Sequence, residues 1–463
     1  MSKPGLPAGP LVAFYGDDFT GSAATMEALT FAGLPTALFF APPTEAQRAR
    51  FPDLCGIGIA GIARSQTPEW MRRHLPALFR ALAKTRAPLI HYKICSTFDS
   101  APEIGSIGTA IDIGQEMFAS PWVPLVTAAP PIHRYQAFGN LFAAVSGRGF
   151  RLDRHPTMSR HPVTPMHEAD LGLHLARQTA RPSDIIDFVA MKAGSADAEF
   201  AARRAAGAEI LSLDVVDEET LAEAGRLVWQ HRSEGRPHFV VGSQGLEYAL
   251  IAHFRAQGWL PSAPATPRAA RVSHVVAVSG SCSPVTAEQI PWGEAHGFRA
   301  IAVDARAALD PRAWDAEVAR GEAAALAALD EGQSPILHTA RGPDDPAVGV
   351  LGAAIATIGA SVGAVNDRIG AGLGRMLDGT LRRGGLNRGI IAGGDTSSHA
   401  ALAMGVFALT AIAATVPGAG LNKAHAEDPA LGALELALKG GQMGGADYFG
   451  RIRAGGRDDL VSV

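Results

Sequence analysis

The segment that decides the fold is Leu11-Val-Ala-Phe-Tyr-Gly-Asp-Asp-Phe-Thr-Gly-Ser22. Its first five residues are apolar and predict a buried strand. Asp17 and Asp18 follow directly, while Thr20 is typical of a helix cap and Gly21 of a close backbone approach. Ligands of open α/β sheets bind at the carboxyl ends of strands, and adjacent carboxylates are costly to bury unused. We therefore expect Asp17 and Asp18 to form part of a functional site, although a plain loop with a helix cap would also account for them.

The same order of strand, polar turn and helix recurs along most of the chain, which favours parallel sheets covered by helices. The predicted strands are 11–15, 36–40, 56–59, 89–92, 123–126, 239–242, 274–278, 300–303, 335–338 and 389–392, with a further apolar run at 434–438. The predicted helices are 68–82, 284–296, a long region from 347 toward 378, and 398–415. Residues 128–170 are rich in Pro, His and Arg and fit neither pattern.

The length of the chain and one proline-rich segment without periodicity predict the domain organisation. The chain has 463 residues, which suggests two or three cores at roughly 150 residues each. Residues 256–271 contain three prolines and no periodicity, and we interpret them as a linker. We therefore expect an α/β fold of two domains, residues 1–255 and 272–463, each a largely parallel sheet covered by helices.

The composition limits which classes of binding partner and which cellular compartment we expect. The net charge of −4 provides no overall positive field, so we expect neither nucleic acid nor a membrane surface as a partner. The three cysteines are far apart and odd in number, which argues against a disulfide framework and favours the cytoplasm. The uncharged stretch 400–417 is rich in small residues, and a buried helix accounts for it better than a membrane span of about 20 residues.

A second polar segment follows the predicted strand at 89–92. Its candidate site residues are Lys93, Ser96, Thr97 and Asp99. A lysine with hydroxyl groups at a strand end can hold a carboxylate or a polyol, although a capped helix start accounts for the segment equally well. Arg64 also follows a predicted strand, and its guanidinium suits bidentate binding of a carboxylate.

Three glycine- and serine-rich turns lie in the second half of the chain, each after a predicted strand or apolar run. They are Ser279-Gly-Ser-Cys-Ser283, Gly393-Gly-Asp-Thr-Ser-Ser398 and Lys439-Gly-Gly-Gln-Met-Gly-Gly445. Each is weak evidence alone, but together they favour nucleotide binding, because glycine amides approach phosphate oxygens closely. The candidate nucleotide contacts are Ser279, Gly280, Ser281, Gly393, Gly394, Asp395, Thr396, Lys439, Gly440 and Gly441. Asp395 could also hold Mg²⁺, directly or through water.

These motifs together resemble the four-carbon acid sugar kinase family nearly from end to end. Residues 16–22 are similar to the family's DDFTGA motif, and residues 93–99 are similar to its KxCSTFDS motif. The three C-terminal turns resemble its nucleotide-binding signatures. Residues 62–65 resemble its small-residue-Ser-Arg loop only loosely, with Arg and Ser in reverse order, and Gly16 and Ser22 stand where the family more often has Ala.

The resemblance implies an N-terminal domain that binds the sugar acid, a C-terminal domain that binds ATP, and an active site in the cleft between them. The implied reaction is phosphorylation of a terminal hydroxyl by ATP with Mg²⁺. Asp17, Asp18, Arg64 and Lys93 would line the sugar site, and we favour Asp18 as the base because it lies nearer the turn that Gly21 opens. The family implies threonate, erythronate or 3-oxo-tetronate as the substrate. Residues 151–170 resemble the branch near the 3-oxo-tetronate kinases, which adds 3-oxo-isoapionate.

We expect the kinase to be cytoplasmic and to form a homodimer. The sequence leaves two alternative functions open. Gly56-Ile-Gly-Ile-Ala-Gly61 matches the dinucleotide pattern GxGxxG, on which a NAD-dependent sugar-acid oxidoreductase would rest. Those glycines lie inside a strand pattern instead of between a strand and a helix, which weakens the match. The second alternative is a non-catalytic protein that binds a sugar acid without transferring a phosphoryl group.

Overall fold

The computed structural model describes residues 5–145, 147–161, 163–262, 267–416 and 418–456, with the backbone but not the side chain of Asp395. The chain divides into two compact units, Met1–Pro264 and Ala265–Val463, referred to below as the N-terminal and C-terminal units. None of the helices within the described ranges combines the length and the apolar character that a membrane span needs.

The N-terminal unit is built on a parallel sheet with a small antiparallel addition. Its strands are β1 (Val12–Gly16), β2 (Thr36–Phe39), β3 (Gly56–Ala60), β4 (Leu89–Lys93), β5 (Val123–Val126), β6 (Arg134–Ala137), β7 (Asn140–Val145), β8 (Arg148–Arg151), β9 (Ser183–Ile186), β10 (Ile210–Leu213) and β11 (His238–Gly242). The main sheet has the order β2-β3-β1-β4-β11-β5-β10-β9, with parallel neighbours throughout, and β6-β7-β8 form a separate antiparallel sheet. The register pairs Gly16 with both Ala60 and Lys93, so the carboxyl ends of β1, β3 and β4 meet.

The helices of this unit are α1 (Phe19–Phe31), α2 (Glu45–Ala49), α3 (Pro68–Ala83), α4 (Ile107–Phe118), α5 (Leu171–Leu175), α6 (Phe188–Lys192), α7 (Ala196–Ala205), α8 (Glu218–Gln230) and α9 (Gly245–Ala256). Helix α3 confirms the helix predicted at 68–82. Thr67 caps it by accepting a hydrogen bond from the Trp70 amide, and Pro68 occupies the first turn. Its apolar stripe, which includes Leu75 and Phe79, is fully buried in the core.

The C-terminal unit contains a sheet that is parallel except at one end. Its strands are β12 (Val276–Ser279), β13 (Phe298–Ala302), β14 (Ser334–His338), β15 (Arg388–Ala392), β16 (Val406–Ala413), β17 (Leu421–Ala426) and β18 (Glu435–Lys439). Its helices are α10 (Pro284–Ala295), α11 (Pro311–Asp330), α12 (Pro346–Ile358), α13 (Val362–Arg383), α14 (Gly394–Ala403) and α15 (Tyr448–Ala454). The order is β13-β14-β12-β15-β18-β17-β16, in which the pairs β18–β17 and β17–β16 are antiparallel and the other neighbours are parallel. Helices and largely parallel sheets in both units confirm the predicted α/β class.

One predicted helix is wrong, and one predicted helical region is confirmed but divided in two. The helix expected at 398–415 is instead α14, which ends at Ala403, followed by β16. Gly405 adopts a positive φ of 73°, which ends the helix and turns the chain into the strand. The long region from 347 is broken into α12 and α13 by Gly359, whose φ is 64°. The strand expected at 300–303 is β13, which begins earlier, at Phe298.

The glycines of the dinucleotide-like segment are required by packing. Gly56 and Gly58 lie within β3, and Gly61 follows it without opening an α-helix. A Cβ atom on Gly58 would overlap the ring of Phe14, and one on Gly61 would overlap the ring of Tyr15. This segment therefore needs glycine for close packing against β1, and it lacks the strand-to-helix turn that holds a dinucleotide.

The core of the N-terminal unit depends on the aromatic contacts of Phe79. Its ring lies 5.4 Å from that of Phe239 and 6.2 Å from that of Tyr92. We predict that Phe79→Ala lowers the free energy of unfolding by about 3–5 kcal/mol, because it removes buried area and leaves a cavity. Phe79→Leu, which fills most of the space, should cost clearly less. Thermal unfolding of both variants checks this; equal melting temperatures for the two would contradict it.

Candidate active site

The two carboxylates of the first motif lie where β1 ends and α1 begins. Asp18 caps α1: one carboxylate oxygen accepts the Gly21 amide at 3.1 Å, and the other accepts the Thr20 hydroxyl at 2.9 Å. The positive end of the helix dipole stabilises this negative charge. The Asp17 side chain is only 2% exposed, whereas that of Asp18 is 24% exposed. Asp18 is therefore the carboxylate that a ligand can reach.

Arg64 and Lys93 reach the same point from the ends of β3 and β4. The Arg64 guanidinium donates to Asp17 at 2.7 and 3.2 Å and to Asp18 at 2.8 Å. The Lys93 ammonium donates to Asp18 at 3.2 Å. Backbone bonds hold the arrangement, since the Asp17 amide donates to the Lys93 carbonyl at 2.9 Å and the Arg64 amide donates to the Asp17 carbonyl at 3.0 Å. The structure thus brings these predicted site residues into one cluster, referred to below as the four-charge cluster.

The two carboxylates differ in acidity because their surroundings differ. Burial raises the pKa of Asp17 above its ordinary value, and the charges of Arg64 and Lys93 offset this only in part. Burial also acts to raise the pKa of Asp18, but Arg64, Lys93 and the Thr20 hydrogen bond together hold this pKa below its usual range. Asp18 is consequently ionised at neutral pH and can accept a hydrogen bond.

Thr97 and Asp99 lie buried in the loop after β4, and Ser96 is half-buried beside them. The Thr97 hydroxyl donates to Asp99 at 2.7 Å and lies 2.9 Å from the Cys95 sulfur. Burial raises the pKa of the Cys95 thiol to about 11, so this cysteine is protonated at neutral pH. The loop therefore places a carboxylate and two hydroxyl groups directly after Lys93, a composition suited to binding a polyol.

The three glycine-rich turns of the C-terminal unit converge at the carboxyl ends of β12, β15 and β18. The Gly280 amide donates to the Ala392 carbonyl at 3.1 Å, and the Gly393 amide donates to the Lys439 carbonyl at 2.9 Å. A Cβ atom on Gly280 would overlap the Thr396 hydroxyl, and one on Gly393 would lie 2.8 Å from the same oxygen. Gly393 also has a φ of 121°, which only glycine adopts without strain.

The serines and remaining glycines of these three turns complete the site that the turns form, referred to below as the cradle. Ser281 accepts a hydrogen bond from Thr286 at 2.9 Å, and its own amide donates to the Ser279 hydroxyl at 3.3 Å. A Cβ atom on Gly441 would lie 3.2 Å from the Ser281 hydroxyl. The backbone at Gly394 begins α14 and has open space around it. The side chain of Asp395 lies outside the described part of the structure, so its assignment to Mg²⁺ stays a prediction.

Lys439 supplies a positive charge inside the cradle. It is fully buried, and its ammonium group donates to Thr286 at 3.3 Å and to the Gly440 carbonyl at 3.2 Å. No carboxylate of the described residues pairs with it, and burial lowers its pKa to about 8. Its partners are a hydroxyl and glycine carbonyls, which leave the positive charge without a counterion in the described structure, so the site is prepared for an anion.

A cavity of about 500 Å³ opens beside the cradle within the C-terminal unit. Its lining includes Val303, Val350, His338 and Thr339. The Thr339 amide donates to the Ser279 carbonyl at 3.0 Å, which ties this cavity to the first glycine-rich turn. His338 is buried, and its Nδ1 atom has no hydrogen-bond partner in the described structure. The size suits a small organic ligand.

Sequence reasoning missed several of these residues. Thr286 bridges Ser281 and Lys439, and its position three residues after the cap Ser283 was the available signal. His338 ends the predicted strand at 335–338 and could have been noted as a strand-end residue. Arg134, which is discussed below, lies in the stretch 128–170 that matched no strand or helix pattern.

Comparison with known proteins agrees with this division of sites. The chain matches a sugar-binding N-terminal domain over residues 12–250 and a nucleotide-binding C-terminal domain over residues 276–449. The 3-oxo-isoapionate kinase of Paraburkholderia graminis is 50% identical over 97% of this chain and 95% of its own length. The 3-oxo-tetronate kinase of Methylobacterium radiotolerans is 32% identical over 94% of this chain and 96% of its own length.

Two solved structures share the fold. The crystal structure of a Salmonella typhimurium LT2 protein has a TM-score of 0.75 at 22% identity, covering 95% of this chain and 98% of that one. That of Haemophilus influenzae protein HI1011 has a TM-score of 0.70 at 23% identity, covering 96% and 100%. This α/β protein combines a sugar-binding and a nucleotide-binding domain. It belongs to the four-carbon acid sugar kinase family, which confirms the resemblance of the motifs and the expected enzyme class, a sugar-acid kinase.

The geometry around Gly21 yields a test of the four-charge cluster. A Cβ atom at this position would overlap the Lys93 ammonium and press on the Asp18 carboxylate. We predict that Gly21→Ala displaces Lys93 and lowers the melting temperature of the N-terminal unit by several degrees, as expected for a loss of about 1–3 kcal/mol. Gly149→Ala is the control, because a Cβ atom there meets nothing within 4 Å. Unchanged melting of Gly21→Ala would show that the cluster tolerates the added methyl group.

Proposed function

We propose that the chain transfers the γ-phosphoryl group of ATP to a terminal hydroxyl of a small sugar acid. The observation that carries the proposal is Lys439, a buried ammonium without a carboxylate partner among the described residues, enclosed by three glycine-rich turns. Such a site suits the phosphates of a nucleotide. Among sugar acids we propose 3-oxo-isoapionate, because the 50% identical relative is a kinase named for that substrate.

In this proposal the cradle and the neighbouring cavity bind different parts of the nucleotide. The amides of Gly280, Gly393 and Gly394 and the ammonium of Lys439 would hold the phosphates. The cavity lined by His338 and Thr339 would hold the adenosine, because the Thr339–Ser279 hydrogen bond places it next to the cradle. ATP supplies the electrophilic γ-phosphorus when it is bound.

Magnesium fits this site with the phosphate oxygens of the nucleotide as its main ligands. No group of three or more acidic, histidine or cysteine side chains within the described ranges could hold a metal ion. Mg²⁺ in kinases is bound through one or two carboxylates together with phosphate oxygens and water. A single carboxylate beside the bound nucleotide is therefore enough to hold it. We propose that Mg²⁺ arrives with ATP and neutralises phosphate charge, and that Asp395 is the carboxylate that holds it.

Asp18 would orient the acceptor. In the transfer, the hydroxyl oxygen forms a bond to the γ-phosphorus, the bond from that phosphorus to the β–γ bridging oxygen breaks, and ADP leaves. The hydroxyl proton passes to the Asp18 carboxylate. Phosphoryl transfer depends more on positioning than on a strong base, so the low pKa of Asp18 does not oppose this role. Asp17 holds Arg64 in place, while Arg64, Lys93, Ser96, Thr97 and Asp99 would line the sugar site.

Three further expectations stay predictions. These are the domain limits 1–255 and 272–463 with a linker at 256–271, the location of the chemistry between the two domains, and the assembly into a homodimer. A cytoplasmic location, expected from the three cysteines, is likewise a proposal.

Asp18→Asn tests the acceptor role. The amide keeps the size of the side chain but removes the charge that accepts the proton, so kcat should fall by about 10²–10⁴-fold. The KM for ATP should stay near that of the wild type. Asp53→Asn, an exposed position in the same unit, is the matched control and should change neither constant. A normal kcat and a normal sugar KM in Asp18→Asn would contradict the proposed mechanism.

Lys439 tests the nucleotide role through pH. Bound phosphate stabilises the ammonium and raises its pKa, so ATP binds with full strength below pH 8 and more weakly as the pH rises above 8. Lys439→Met should weaken ATP binding by about 10- to 100-fold at pH 7, the scale of a lost charged hydrogen bond. Lys439→Arg should bind ATP without the change above pH 8, because arginine stays charged.

Calorimetric titration with ATP between pH 7 and about 9.5 measures these effects on either side of the lysine pKa. Lys423→Met, at an exposed position in the same unit, is the control and should bind ATP as the wild type does. Wild-type affinity in Lys439→Met would place the nucleotide elsewhere.

A further inference from the structure

The four-charge cluster has no positive charge to spare for an acid substrate. Arg64 is paired with both Asp17 and Asp18, and Lys93 is paired with Asp18. Two cations and two carboxylates balance one another. A substrate carboxylate entering this cluster would therefore add a third negative charge to two cations, whereas a substrate hydroxyl would add none.

Arg134 lies nearby at the carboxyl end of β5. The Ile94 amide, just after β4, donates to the Gly242 carbonyl at 2.8 Å, and the Ser243 amide donates to the Val126 carbonyl at 3.0 Å. The Ala129 amide then donates to the Arg134 carbonyl at 3.0 Å. These bonds connect the end of β4, through β11, to the segment that carries Arg134. Because neighbouring strands lie about 4.8 Å apart, β5 is separated by about 10 Å from β4 and by about 14 Å from β1, at whose end Asp18 lies.

The guanidinium of Arg134 is held in place but not neutralised. Its Nη1 atom donates to the carbonyls of Ile132, His133 and Ala144, each at 3.2 Å. Its Nε atom is buried without a hydrogen-bond partner, and no carboxylate of the described residues forms an ion pair with it. Burial lowers the pKa of Arg134, and the acidic groups that oppose this are Cys95 and Asp99 of the loop after β4. Arg134 thus lies within electrostatic reach of the loop that carries Asp99 of the proposed sugar site.

We propose that Arg134 binds the carboxylate of the sugar acid and so selects acids over neutral sugars. This rests on the proposed function of the site. An extended four-carbon acid measures about 6 Å from carboxylate to terminal hydroxyl, given C–C bonds of about 1.5 Å. With a hydrogen bond of about 3 Å at each end, such a molecule spans about 12 Å, and the Arg134 side chain is long enough to cover the remaining distance toward Asp18. The carboxylate is thereby assigned to Arg134, while Arg64 and Lys93 position Asp18 and contact hydroxyl groups.

The test measures binding without ATP, by calorimetry, for the sugar acid 3-oxo-isoapionate and for its uncharged carboxamide. The wild type should bind the acid more tightly than the amide. Arg134→Gln should weaken binding of the acid by about 10- to 100-fold, the scale of a lost charge-assisted contact, and binding of the amide by less than about threefold. Arg148→Gln, an exposed arginine in β8 of the same small sheet, should leave both affinities unchanged.

Several outcomes would overturn the proposal. Equal binding of acid and amide by the wild type would do so, as would an unchanged preference for the acid in Arg134→Gln. An equal loss for both ligands would show that Arg134 only supports the loop. If Arg134→Gln does not fold, the same two ligands are measured with Arg134→Lys. A reduced preference for the acid with unchanged binding of the amide supports the proposal. An unchanged preference for the acid refutes it. Since no turnover is measured, a wild type that binds the acid without phosphorylating it would refute the kinase proposal alone.

Discussion

The N-terminal unit depends on one electrostatic constraint, the pairing of two adjacent carboxylates with two cations at the ends of three strands. Asp17 is buried, and an unpaired carboxylate there would be strongly unfavourable. Arg64 and Lys93 provide its compensation only if β3 and β4 flank β1 in parallel and in the observed register. The close approach of Gly21 to Lys93 belongs to the same requirement. Sheet register and site geometry are therefore a single constraint.

The C-terminal unit also places charge at its strand ends, but there the charge is not balanced. Its charge, Lys439, is buried without compensation from the described carboxylates, and the surrounding turns offer amides and hydroxyls. Such a site is costly when empty and is stabilised by an anion. The balanced cluster in one unit suits a neutral hydroxyl, and the unbalanced lysine in the other suits a polyphosphate. This difference is the physical basis for assigning the acceptor and donor to separate units.

Strand-end motifs were predictable from the sequence because charged residues directly after a buried apolar run are costly unless they are solvated or paired. Asp17, Asp18, Arg64 and Lys93 could be assigned to one edge of the sheet on that ground. Residues 400–417 could not be assigned correctly, because small apolar residues suit a buried helix and a buried strand alike, and Gly405 alone marks the change. Arg134 could not be found either, since the hydrogen bonds that place it come from β7 and from the loop before β6.

The central claim is that the chain couples ATP cleavage to phosphorylation of a sugar acid. The most direct measurement is the yield of ADP and of phosphorylated acid, by ³¹P nuclear magnetic resonance and mass spectrometry, after incubation of the full chain with ATP, Mg²⁺ and 3-oxo-isoapionate. We expect equal amounts of ADP and of an acid heavier by one phosphoryl group. Release of ADP and free phosphate without a phosphorylated acid, or no release of ADP with any four- or five-carbon sugar acid, would contradict it.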